Sequence, residues 1–338
     1  MKLKAGIIGL GKMGLSHAAI VGPHPSVDMV AVCDTSSLVL DVFRKFSRIN
    51  VYTDYSRMIA QEKLDFIVVA TPTRLHYPMV KHALEQGINV FCEKPFCLTT
   101  EEGNELVELA KRKGLINQVS YHNRFVGTFR ELKRLLDNRV LGDIIHFTGE
   151  AYGSVITNEK GSSWRSDPRE GGGCLMDYAS HVINLIQEII GRPVLVKGSV
   201  LKNIYSRDVD DAVYSMLVLG NGLSGILSVN WCDSTYRKMT TSLTVYGKKG
   251  KIFCDATEIR IYLNDDCHSE NLPKGWTIKY LTELAIPVNF YLRGEEYSAQ
   301  IDHFVNCIIG KKSTEINSFE QALYTDKVIE MITADSKK

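Results

Sequence analysis

The feature that most constrains this chain is a glycine run closing an apolar strand near its start. Residues 3–8 are largely apolar with little alternation, as expected of a strand buried on both faces, and Gly9-Leu10-Gly11-Lys12-Met13-Gly14 follows at once. Residues 13–21 then read as a helix with no interior proline, and a second apolar run, 29–33, ends in Asp34. Strand, glycines, helix, strand and acid in that order predict a unit that holds a dinucleotide. Gly9 permits the tight turn, Gly11 lets the backbone approach a pyrophosphate, and Gly14 lets helix and strand pack closely. The pyrophosphate would sit on the unpaired N–H groups of the helix's first turn, and Asp34 stands where an acid meets the adenosine ribose. The same glycines would also suit a turn in a nucleotide-free α/β protein.

Asp34 bears on the choice of dinucleotide. A carboxylate accepts hydrogen bonds from ribose hydroxyls and repels a 2′-phosphate. Thr35, Ser36 and Ser37 supply no cation to offset it, and Arg44 and Lys45 lie about a helix away, facing solvent. NAD is therefore expected over NADP.

The first 120 or so residues keep alternating strand and helix. Strands are expected at 66–70, 89–92 and 116–120, and helices at 35–46, 75–86 and 100–113, with Gly87 and Gly114 as helix C-caps. That alternation predicts a doubly wound parallel sheet with right-handed crossovers. After Arg124 the pattern changes. A helix over 126–138 leads to a strand at 144–151, a Gly/Ser-rich loop to Gly173, and consecutive strands over 194–261. Asn221-Gly222 marks a two-residue hairpin, Lys248-Lys249-Gly250 marks a solvated turn, and helices return at 298–309 and 319–332. The expected division is a dinucleotide-binding domain over 1–123. A substrate-binding and oligomerisation α+β domain over 124–338 would follow, its C-terminal helices packing back on the first.

A chain of 338 residues suits two domains. A formal net charge of +1 gives no electrostatic footprint for nucleic acid or an anionic membrane. No apolar stretch approaches the ~18 residues of a membrane span, and the N-terminus enters the first strand without room for a signal peptide. A cytoplasmic location is expected. The eight cysteines show no CxxC pair, which reads as reduced thiols rather than disulfides or zinc ligands. No metal is expected.

Three places carry chemistry. In Glu93-Lys94-Pro95, a lysine follows a buried strand, where ligands bind in open α/β sheets, and its charge suits a developing alkoxide. An X–Pro bond can be cis, which would fix that lysine's direction; a surface lysine paired with Glu93 is the plain alternative. The second place is Gly171-Gly172-Gly173-Cys174-Leu175-Met176-Asp177-Tyr178-Ala179-Ser180-His181. There the glycines release a helix running to about residue 190, with Asp177 and His181 at i and i+4 on one face and Asn184 extending it. A histidine exchanges protons near neutral pH and Asp177 would orient it or bind a hydroxyl. A helix start with a dipole-favoured acid and an incidental histidine fits equally. The third is Thr71-Pro72-Thr73-Arg74-Leu75-His76, after the strand at 66–70, where His76 would touch the dinucleotide or serve the structure. Asn123-Arg124-Phe125 and Trp164-Arg165 are polar–aromatic pairs that would cover a nicotinamide or anchor loops.

Taken together, GLGKMG, Asp34, ATPTRLH, EKP, NRF, WR and GGGCLMDYASH, in that order, resemble the Gfo/Idh/MocA oxidoreductase family, which includes inositol dehydrogenase and glucose–fructose oxidoreductase. The resemblance implies a Rossmann domain followed by an α/β domain whose large, mainly antiparallel open sheet forms the interface of a homodimer or homotetramer. It implies Lys94, Asp177 and His181 as the catalytic set. Gly9, Gly11, Lys12, Met13, Asp34, Thr71, Pro72, His76, Glu93, Lys94, Asn123, Trp164 and Arg165 would bind the cofactor. Lys94, Arg124, Asp177, His181 and Asn184 would meet the substrate. Many members carry aspartate where this chain has Asn184, which removes a charge from the sugar pocket.

The resemblance implies NAD-dependent hydride transfer on a ring hydroxyl or ketone of a sugar or cyclitol. A nucleotide-sugar 3-dehydrogenase or ketoreductase is the alternative, with Arg124, Arg165 and Arg169 to meet a diphosphate. A non-catalytic dinucleotide-binding regulatory protein is the alternative of another class.

Overall fold

In this computed structural model, residues 2–158, 164–288, 290–292, 294–312 and 314–338 are described. The chain begins with β1 (Leu3–Ile8), α1 (Lys12–Val21), β2 (Val27–Cys33), α2 (Ser37–Phe46), β3 (Asn50–Tyr52) and α3 (Tyr55–Gln61). It continues with β4 (Phe66–Val69), α4 (His76–Glu85), β5 (Asn89–Cys92), α5 (Thr100–Lys113) and β6 (Asn117–Val119). Next come α6 (Gly127–Asp137), β7 (Ile144–Tyr152), a π-helical turn at Leu175–Ala179, and α7 (Ser180–Ile189). Strands β8 (Pro193–Lys202), β9 (Ala212–Leu219), β10 (Ser224–Asn230) and β11 (Thr240–Gly247) follow. Then come β12 (Gly250–Asp255), β13 (Glu258–Leu263), β14 (Gly275–Tyr280), a short α8 (Leu281–Leu284), α9 (Glu295–Gly310) and α10 (Phe319–Asp335).

These elements form two compact units, Met1–His122 with Pro287–Tyr324, and Asn123–Ile286 with Thr325–Lys338. The first is built on a parallel sheet in the order β3-β2-β1-β4-β5-β6. The order reverses between β1 and β4, which opens a crevice at the strands' carboxyl ends. Side chains alternate to the two faces, as the strand period requires. Ile7, Val68 and Phe91 lie in one core with Phe304 of α9, while Ile8, Val69 and Cys92 lie in the other with Leu106 and Phe319. Phe304 meets Phe66 and Phe91 edge-on at 5.5 and 5.7 Å, so α9 completes the first unit although it lies far down the sequence.

Expected strand 3–8 and helix 100–113 occur with those bounds, and Gly114 ends the helix in the left-handed region (φ 63°). Strand β3 and helix α3 were not anticipated. Three residues are too few to show a period, and β3 is an edge strand paired with β2.

The second unit carries an eight-stranded sheet, β14-β13-β12-β11-β7-β10-β9-β8, antiparallel except for the pairing of β7 with β10. One face buries Leu217, Leu227, Val229, Leu243, Ile252 and Ile261. The loop between β9 and β10 is one residue longer than expected: Leu219 N–H donates to Leu223 O, with Gly222 at φ 83°. Such three-residue loops end in a left-handed position that glycine fills. Of the expected Gly/Ser-rich loop before Gly173, residues 159–163 lie outside the described residues.

Candidate active site

The candidate functional residues fall on both units, and each set is built locally. In the first unit the glycines behave as their spacing predicts. Gly9 adopts φ 89°, and a Cβ there would lie 2.7 Å from the Ala70 carbonyl oxygen; a Cβ on Gly14 would lie 1.8 Å from the Gly9 carbonyl oxygen. Gly11 differs, since a Cβ there meets nothing within 4 Å. It faces open space at the N-terminus of α1, whose first turn has no side-chain cap. That is a backbone cradle for an anion. Lys12 is exposed and Met13 partly so at its rim. Asp34 braces the cradle: Oδ2 accepts the Leu10 N–H at 2.5 Å and Oδ1 accepts the Ser36 N–H at 2.7 Å. It remains partly exposed at the end of β2. Arg44 lines a cleft of about 320 Å³ with Tyr52, Asp54 and Arg57, and is paired with Asp41 at 2.7 Å.

The loops after β4 and β5 are tied together by His76. Its Nδ1 lies 2.9 Å from the Pro95 carbonyl oxygen, and its Nε2 lies 2.9 Å from that of Thr71. Burial lowers its pKa against the pull of those carbonyls. Both ring nitrogens are thus taken up by the backbone, so His76 shapes the crevice from behind. Thr71 and Pro72 remain accessible at its edge. The Lys94–Pro95 peptide is cis, and Lys94 is partly exposed directly after the buried Glu93. Glu93 Oε1 is 2.7 Å from His17 Nε2. Burial opposes its ionisation, but the hydrogen bond and charge of His17, then Lys94 and Ser120, hold it below the usual glutamate value.

In the second unit the predicted helix begins with a π turn, a distortion frequent at functional sites. It carries Asp177, 5% exposed, and passes into α7 with His181, 3% exposed. Arg165 Nε donates to Asp177 Oδ2 at 2.9 Å, and its guanidinium lies over the Trp164 ring at 4.4 Å. Asp210 closes the amino end of the turn, Oδ2 accepting the Leu175 N–H at 2.6 Å. Neither His17 nor Asp210 was singled out from sequence: His17 reads as one polar residue in an apolar helix, and Asp210 lies 35 residues beyond its partner.

Two expected substrate residues bond within the second unit. Arg124 Nε donates to Asn184 Oδ1 and its NH1 group to Glu188 Oε2, both at 2.7 Å. Asn184 Nδ2 is 3.3 Å from Thr325 Oγ1, and the residue is 1% exposed. Both side chains are therefore engaged inside the unit. Asn123 is likewise buried, 3.5 Å from Thr241 Oγ1. Arg169 is outward and paired with Asp167. Among the described residues no group of three or more His, Cys, Asp or Glu is placed to hold a metal ion. No helix among them is long and apolar enough to cross a membrane.

Comparison with known proteins identifies the family of both domains. Residues 3–121 match the domain described as the oxidoreductase family, NAD-binding Rossmann fold. Residues 129–253 match the GFO/IDH/MocA C-terminal domain. Among curated relatives, the D-glucoside 3-dehydrogenase of Escherichia coli is 30% identical over 202 residues, 57% of this chain and 55% of that protein. The scyllo-inositol 2-dehydrogenase (NAD(+)) of Bacillus subtilis is 23% identical over 331 residues, 95% of this chain and 91% of that one. The chain spans about half the length of several other curated relatives it matches. A levoglucosan dehydrogenase solved in complex with NADH shares the fold, with a TM-score of 0.89, 22% identity, and coverage of 100% of this chain and 97% of that one.

Proposed function

The chain belongs to the Gfo/Idh/MocA oxidoreductase family, and from that premise we propose that it is an NAD-dependent dehydrogenase acting on a ring hydroxyl or ketone of a free sugar or cyclitol. The observation that carries this reading is the burial of an acid and a base, Asp177 in the π turn and His181 four residues on in α7, in a chain that also holds a dinucleotide cradle. A buried acid and base close together in sequence make a candidate for proton transfer.

Gly9, Gly11 and the first turn of α1 hold the pyrophosphate, and Asp34 binds the adenosine ribose and disfavours a 2′-phosphate. The bound nicotinamide supplies the hydride acceptor, or the donor in reduction. Lys94 polarises the reacting C–O group. His181 takes the hydroxyl proton and returns it in the reverse direction, with Asp177 orienting the hydroxyl. Trp164 and Arg165 cover the reacting region.

Free rather than nucleotide-linked substrates are supported by the arginines. Arg124 is bound to Asn184 and Glu188, Arg165 to Asp177 and Arg169 to Asp167, leaving their charges already partnered before any diphosphate arrives. The test is NADH absorbance across polyols, aldoses and nucleotide sugars, with NADP in parallel and Lys94→Ala as control. Turnover restricted to a nucleotide sugar would overturn the substrate class. Dinucleotide binding without any turnover would favour the regulatory role.

A homo-oligomer and a reducing, cytoplasmic setting complete the reading. The sheet face opposite α6 and α7 sets Ile278, Arg260, Phe253, Thr244, Thr148, Ile226 and Met216 in one row across paired strands. Ile226, Met216 and Ile278 are exposed there, as suits a self-complementary interface. The eight cysteines are free thiols, which fits a reducing compartment. Light scattering would report a monomer if the face is not used.

A further inference from the structure

Glu93 was expected to line the cofactor, yet its carboxylate is occupied inside the first unit. Oε1 meets His17 Nε2 at 2.7 Å, Oε2 lies 3.2 Å from the Lys94 backbone N–H, and Ser120 gives a side-chain hydrogen bond. Helix α1, the end of β5 and the end of β6 therefore converge on one acid. The Glu93 side chain is 9% exposed and that of His17 0%, and Phe91 meets the imidazole edge-on at 5.3 Å. Among the described residues the buried His17 Nδ1 has no hydrogen-bond partner, and the polar contact of the ring there is to Glu93.

Such a pair is a weak source of stability. Apolar residues of the same volume often serve a core equally well, so the pair calls for another reason to be there. Its place supplies one. His17 stands on the helix that opens at the glycine cradle, and Glu93 is covalently next to Lys94. The Lys94 backbone N–H donates to this same carboxylate, and the Lys94 charge helps to keep it ionised. Shifts of about 1 Å at a reacting group cost on the order of 100-fold in rate, so a fixed lysine is worth a buried polar pair.

We propose that Glu93 and His17 are positioning residues for Lys94: the imidazole fixes the carboxylate, and the carboxylate fixes the lysine relative to the dinucleotide helix. This rests on the role given to Lys94 above. It replaces the expected cofactor contact at Glu93 by an internal one.

The test uses the full chain with isotopically methylated lysines, the Lys94 resonance being assigned by its loss in Lys94→Arg. His17→Ala, His17→Gln and Glu93→Gln are compared with the parent by NMR, NAD binding and steady-state kinetics. His17→Ala is expected to move the Lys94 resonance and lower kcat about 10–100-fold while KM for NAD changes less than about threefold. His17→Gln, which retains a donor near the Nε2 position, should recover most of both. An unmoved resonance in His17→Ala and Glu93→Gln, in protein that still melts cooperatively and binds NAD, would overturn the proposal. A moved resonance with unchanged kcat would leave the positioning intact and remove Lys94 from the chemistry. If His17→Ala does not fold, the two isosteric variants decide the question.

Discussion

Arg165 and Asp177 are joined side chain to side chain, Nε donating to Oδ2 at 2.9 Å, with the arginine 38% exposed and the aspartate 6%. The guanidinium also stacks over Trp164, so the cation is held from two sides and in turn fixes the direction of the buried carboxylate. A lysine would keep the charge but lose the planar fork and much of the stacking. We expect Arg165→Lys to lower kcat/KM about 10-fold and Arg165→Ala about 100-fold, by the loss of an oriented contact. Circular dichroism should stay unchanged in both. Steady-state kinetics on a turned-over sugar checks this, and equal activity of Lys and Ala variants with the parent would remove the pair from the site.

Gly11 and Gly14 predict opposite kinds of damage from one added methyl group. At Gly14 the new Cβ would fall 1.8 Å from the Gly9 carbonyl oxygen, so helix and strand must separate; at Gly11 it meets nothing and the backbone is extended at φ −66°. Gly14→Ala should therefore cost about 1–3 kcal/mol or more in stability. Gly11→Ala should melt like the parent yet bind NAD at least about 10-fold more weakly, because the methyl group fills the space meant for the pyrophosphate. Thermal melts and NAD titration separate the two effects. Equal NAD affinity in Gly11→Ala would place the pyrophosphate elsewhere.

What was legible in the sequence was local. The glycine turn, Asp34, the segment at Lys94 and the helix face of Asp177 and His181 announce themselves because each lies on one contiguous strand, turn or helix. The partners of these residues did not announce themselves, because they arrive from far along the chain. His17 and Glu93 are 76 residues apart, Arg124 and Asn184 60, and Leu175 and Asp210 35. Periodicity reports which face of an element is buried, not which side chain of another element meets it. For that reason the sequence offers Arg124 and Asn184 as substrate candidates without showing that they bond to each other, and leaves His76 either touching the dinucleotide or serving the structure without showing that it bridges two loops. Strand β14 was missed for a related reason. Gly275–Tyr280 is an edge strand with Trp276, Ile278 and Tyr280 outward, so its apolar residues do not mark a core.

The Arg124 contacts support a structural role for this cation. Its side chain is 2% exposed and that of Glu188 26%, and Asn184 closes the third side through its side-chain and backbone oxygens. Removing the arginine leaves a half-buried glutamate and a buried carboxamide oxygen without their donor. We expect Arg124→Ala to lose about 2–4 kcal/mol of stability, near the range for breaking a buried ion pair. Arg124→Met, similar in volume, should lose nearly as much, since packing is kept but the donors are gone. Urea unfolding measures both. A variant that unfolds like the parent while its KM rises would return Arg124 to the substrate side.

Asp210 ties the pH dependence of stability to the same helix. Its carboxylate accepts from the Leu175 N–H at the start of the π turn, and its backbone carbonyl accepts from Cys174 N–H at 2.8 Å. Burial pushes its pKa from 3.8 up to about 6, against the opposing pull of the Leu175 N–H. In the unfolded chain the group returns to its ordinary value. Between those two values the folded protein holds a proton that the unfolded chain releases, so this group's contribution is fully present below the lower value and is lost as pH rises through about 6. Asp210→Asn keeps an oxygen to accept the Leu175 N–H but cannot titrate. The stability of the variant relative to the parent should therefore rise from about pH 4 to about pH 6 by on the order of 1–3 kcal/mol and then level off. Acid-labile groups such as Glu131, held down at about 2 chiefly by its Arg134 hydrogen bonds, act alike in both proteins and cancel in the difference. Urea unfolding of parent and variant across that pH range gives the curve directly. A flat difference would mean that the Asp210 carboxylate is as well solvated by its helix N–H contact as it is in water.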